Sequence, residues 1–84
     1  MTPTEIIKAD AIERNIDPNK LLVSLRKHLE ANVAVMLMKN NSVLVLKELE
    51  GHAMELHLFT KDTPLTLARS IKYFVDKILS LIHI

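Results

Sequence analysis

The 84-residue chain is long enough for one small domain and too short for two. Its 49% hydrophobic and 25% charged residues describe a folded globular protein, and a net charge of +1 offers no general field for nucleic acid or an anionic membrane. With no cysteine there is no disulfide, thiolate metal site or cysteine nucleophile, and the single glycine, Gly51, excludes glycine-rich phosphate loops and the dinucleotide fingerprint.

Three prolines mark helix starts, because each follows a residue able to cap: Thr2-Pro3, Asp17-Pro18 and Thr63-Pro64. The first helix is predicted over residues 3–15. Thr2 and Glu5 have capping-box spacing, and Ile6, Ala9, Ile12 and Ile16 form its apolar stripe. The second is predicted over 18–31, with Leu21, Leu22, Leu25 and Leu29 inward and Lys20, Arg26, Lys27 and Glu30 outward.

The period then changes. Residues 33–38 are apolar on both faces, as in a strand covered from both sides. Asn40-Asn41 is a two-residue turn, and 43–46 return as a second strand. A turn at Glu50-Gly51-His52 leads to a third strand over 54–59, with Met54, Leu56 and Leu58 on one face and Glu55, His57 and Phe59 on the other. Short turns make the three strands an antiparallel meander with an unpaired edge at the third. A last helix starts at Pro64, and Leu67, Ala68, Ile71, Phe74, Val75 and Ile78 are expected to cover one sheet face. The fold class is α+β: two N-terminal helices, a three-stranded antiparallel meander and a C-terminal helix on the sheet.

No signal peptide or spanning segment is legible, so a cytoplasmic protein without a membrane partner is expected. Residues 79–84, Leu-Ser-Leu-Ile-His-Ile, are apolar on nearly all sides and resemble a translated adapter remnant from a metagenomic reading frame. The sequence therefore reads as an incomplete domain over 1–78 followed by a non-native or unstructured tail over 79–84.

The element order, helix-helix-strand-strand-strand-helix, resembles the front half of the GNAT-type N-acetyltransferase fold without its first strand. Residues 54–77 are also similar to small acetyltransferase-like proteins of tailed phages. The resemblance implies that the helix after the third strand presents its N-terminus to the pyrophosphate of acetyl-CoA. The matching positions are Phe59, Thr60, Lys61, Thr63, Leu65 and Thr66. The family's glycine pair is missing there, Pro64 removes an amide, and Asp62 adds negative charge, so weak cofactor binding is expected. The plain alternative for Thr63 is a helix cap.

The resemblance also implies a general base at Glu55, with His57 on the same strand face. A solvated carboxylate and a structural histidine are the plain alternatives. Glu55 and His57 are too few for a metal site, and no third ligand stands at a persuasive spacing among His28, His52 and His83. Tyr73 reads as packing, as do Met36, Met38 and Met54.

Two functions are therefore expected: an acetyl-CoA-dependent N-acyltransferase-like domain with a small-molecule or protein amine as acceptor, or a non-enzymatic phage structural or interaction module. The second would use the open strand edge, including for self-association.

Overall fold

The computed structural model describes residues 1–82. Helix α1 is Pro3–Glu13, α2 is Pro18–Glu30, strand β1 is Ala34–Lys39, β2 is Ser42–Glu48, β3 is Met54–Thr60, and α3 is Pro64–Ile82, with a 3-10 turn at Glu50–His52 between β2 and β3. The fold is α+β, with the antiparallel sheet ordered β1-β2-β3. His83 and Ile84 of the tail lie outside the described residues. Leu79–Ile82 continue α3 as helix.

The helix starts are built as the prolines indicate. Thr2 and Glu5 close a complete capping box, and the Asp17 carboxylate accepts from the N–H groups of Asn19 and Lys20. The ends of α1 and α2 fall earlier than predicted, and asparagine is the reason. Asn15 and Asn32 both have φ of 58°. After α1, Ile16 N–H reaches Ala11 O and Asn15 N–H reaches Ile12 O; after α2, Val33 N–H reaches His28 O and Asn32 N–H reaches Leu29 O. Each pair is a Schellman closure, with asparagine taking the left-handed position that glycine usually fills.

The helices cover the sheet unevenly. On one face α1 crosses β2 and β3 while α2 lies on β1. Ile6, Ile7, Ala34, Val43, Val45 and Phe59 form the core there, flanked by the four leucines of α2. On the other face α3 crosses β1 and β2, and Phe74 packs on Leu44 and Leu46. β2 is consequently buried on both faces over Ser42 to Leu46, whereas β3 is crossed by α1 on one side and is only partly covered, at Leu58, on the other.

Two predicted stripes are rotated. The buried face of α1 is Ile6, Ile7, Asp10 and Ala11, and Ile12 and Ile16 are exposed. In α3 the inward residues are Ser70 and Phe74, flanked by Leu67, Tyr73 and Ile78, while Ala68, Ile71 and Val75 face outward. In both helices a polar residue, Asp10 or Ser70, holds a central inward position because it has bonds to make there. Met36 and Met54 are exposed rather than core filler; only Met38 packs against the core.

Candidate functional site

Lys61, Asp62 and Thr63 join the end of β3 to the start of α3. The Asp62 carboxylate is the hub of this junction. Its Oδ1 accepts the Asn41 backbone N–H at 3.0 Å, and its Oδ2 accepts the hydroxyls of Ser42 at 2.5 Å and Ser70 at 3.0 Å. Each serine has one hydroxyl proton, which fixes the direction of the next links. The Thr60 hydroxyl donates to Ser42 Oγ over 2.6 Å, and Asn40 Nδ2 donates to Ser70 Oγ over 3.0 Å. The Asp62 N–H closes the chain on Thr60 Oγ1 at 3.0 Å. Burial acts to raise the Asp62 carboxyl, but the donors from Ser42, Asn41 and Ser70 outweigh it and hold the group below its ordinary range. The result is an ionised brace tying the β1–β2 turn, β2, β3 and α3 together.

The remaining junction residues do not converge on one point. Phe59 is buried in the core under α1, Lys61 is ion-paired with Glu13 of α1, and Leu65 is exposed. The Thr63 hydroxyl donates to Thr66 Oγ1 at 3.1 Å, and the Thr63 carbonyl accepts the first-turn bond from Leu67 N–H.

Glu55 and His57 do stand together. They lie on the α1–α2 side of β3, opposite Lys47 and Val45 of β2, and the Glu55 carboxylate pairs with His57 Nε2. Both line a cleft of about 150 Å³ between α2 and the sheet, together with His28 and Lys47. His28 Nδ1 is 2.7 Å from the Ser24 carbonyl, a local helix bond that fixes its ring. No group of three potential metal ligands occurs among the described residues.

The free edge of β3 has a defined polarity. Lys61 N–H donates to Asn41 O, towards β2, at 2.9 Å, whereas Thr60 N–H turns the other way to Asp10 Oδ2 at 2.9 Å. Alternation along an antiparallel strand then directs the backbone groups of Glu55, His57 and Phe59 to β2 and those of Met54, Leu56 and Leu58 outward. Arg14 Nη2 accordingly reaches the outward carbonyl of Leu58 at 3.4 Å. Arg14 Nε also lies 2.7 Å from Asp10 Oδ1, a charge contact without an N–H aligned on that oxygen. One buried carboxylate and its guanidinium thus occupy the edge at Thr60 N–H and the Leu58 carbonyl, and leave the backbone groups of Met54 and Leu56 and the Leu58 N–H open.

Alongside the open stretch runs an apolar groove of about 260 Å³. It is lined by Leu56 and Leu58 of β3, Leu44 of β2, and Ile71, Phe74, Val75 and Ile78 of α3. It exists because α3 lies mainly over β1 and β2 and covers the same face of β3 only at Leu58. Leu56 and Met54 are each 56% exposed, a large opening for strand residues of this kind.

Compared with protein-family models, with curated proteins and with solved structures, the chain gives no match.

Sequence reasoning missed Asp10, Arg14, Ser42 and Ser70. The signal for Asp10 was present: it follows Ile6 at i+4 and precedes Ala11, inside the inward face, with Arg14 another i+4 beyond. An acid at a core position needs donors, and here they come from an edge strand distant in sequence.

Proposed function

We propose that this chain is a non-enzymatic interaction module that binds an extended apolar segment along the open edge of β3. The observation that carries this reading is the coincidence of outward backbone groups at Met54 and Leu56 with an apolar groove on one flank. An added strand satisfies the backbone groups, and its alternate side chains enter the groove. Asp10 and Arg14 define where such a strand stops. Edges that must stay unpaired usually carry lysine, proline or a bulge, and residues 54–58 contain none of these.

An acetyl-CoA-dependent acyltransferase-like activity is the second reading, supported by α3 starting directly after β3 with Lys61, Thr63 and Thr66 at the junction. The interaction reading is preferred because Thr60 and Asp62, where a cofactor's phosphates would approach, are already committed to Ser42, Asn41 and Ser70.

Titration with a short extended peptide of alternating leucine and polar residues, followed by backbone amide NMR, tests the first reading. Shifts confined to residues 54–58 and to Ile71 and Val75 are the expected result. Shifts with acetyl-CoA at residues 60–66, and none with the peptide, reverse the order of the two readings.

A further inference from the structure

We infer that the strand taken up by this edge is β3 of a second copy, paired antiparallel about a two-fold axis through Leu56. The inference rests on the interaction reading above and names its partner.

The edge is self-complementary in that one register. Leu56 turns both N–H and C=O outward, so Leu56 facing Leu56 exchanges two backbone hydrogen bonds across the axis. Met54 then lies opposite Leu58 of the second copy, and the same holds in reverse. On the other face Glu55 comes opposite His57 of the second copy, so the carboxylate of each chain meets the imidazole of the other as well as its own. Moving the axis to His57 sets histidine against histidine, Glu55 against Phe59, and presents backbone groups that already bond β2. Of the two, the axis at Leu56 sets carboxylate against imidazole and leucine against apolar side chain.

The flanking groove fits the same partner. A two-fold axis perpendicular to the sheet keeps both α3 helices on one face, so the two grooves meet as one channel. Ile71 and Val75 of each copy, 42% and 47% exposed, border it. The Arg14 contact at Leu58 limits the pairing to residues 54–58, a short ladder flanked by apolar side chains. The other edge, β1, has a cleft of about 240 Å³ beside Val33, Val35 and Leu46, but its α1–α2 face carries Ala34, Met36 and Met38 and offers no carboxylate–imidazole pair.

The chain has no cysteine, so a single introduced thiol reports the register without background. Hydrogen-bonded antiparallel pairs hold their Cα atoms about 5.5 Å apart, within disulfide reach. The L56C variant is expected to oxidise to a covalent dimer, and M36C, at the centre of the β1 edge, to remain monomeric. Light scattering of the unmodified chain at high concentration is expected to give twice the monomer mass, and Leu56→Lys the monomer mass with unchanged circular dichroism. A monomeric unmodified chain, or a dimer linked through M36C and not L56C, overturns the inference. If that monomer still binds the leucine-rich peptide at 54–58, the self-pairing fails while the interaction reading stands; if it binds neither, both fail.

Discussion

Asp62 is the residue on which the junction depends. A carboxylate on a loop between a strand and a helix reads in sequence as a liability for phosphate binding, and its positive role is visible only once Ser42 and Ser70 arrive from elements 20 and 8 residues away. The sign of its pH effect follows from its lowered pKa. Its stabilisation is complete above the unfolded value of about 4 and is lost as pH falls through the lower folded value. Glu5, lowered by its hydrogen bonds from Thr2, acts in the same direction over the same window. Asp62→Asn is therefore expected to lower stability at neutral pH by about 1.5–3 kcal/mol, the range for hydrogen bonds to a charged group. For a domain of this size each kcal/mol moves Tm by roughly 4–8 °C. Its profile of Tm against pH should also be flatter than the unmodified chain's below about pH 4, with Glu5 supplying the slope that remains. Thermal melts across the acid range check both parts; an unchanged melting point would show that the brace is decorative.

At the scale of elements, starts were more legible than ends and faces. Proline after a capping residue is a local device, complete within four residues, and all three starts fall where it puts them. The ends turn on Asn15 and Asn32 adopting positive φ, a conformation asparagine tolerates but does not announce. The faces of α1 and α3 were misjudged by hydrophobicity alone, since Asp10 and Ser70 are inward for their hydrogen bonds while Ile12, Ile71 and Val75 are left outside. Glu55 and His57, by contrast, share the face that strand alternation gives them. The apolar surface of α3 is wider than the sheet it covers, which separates two roles along one helix. Ile71→Lys and Val75→Lys should change unfolding free energy by no more than about 0.5 kcal/mol, as at other exposed positions, yet shift sedimentation towards the monomer. Denaturant melts paired with sedimentation velocity distinguish the roles; a large loss of stability would make these side chains part of the core.

For the whole molecule, the sheet separates two small cores and is covered unequally. α1 reaches β3 on one face, but on the other α3 lies mainly over β1 and β2, so the edge strand keeps one flank that is covered only in part, at Leu58. No local pattern contains that fact, because it depends on where a helix lies across strands paired tens of residues earlier. Amide hydrogen exchange at Leu56, followed as a function of protein concentration, is the most direct measurement of whether this flank is a binding surface. Exchange that slows at Leu56 as concentration rises, while Thr60, bonded to Asp10, and His57, facing β2, hold constant rates, is the predicted result. A Leu56 amide that exchanges at one rate from dilute to concentrated solution would contradict it.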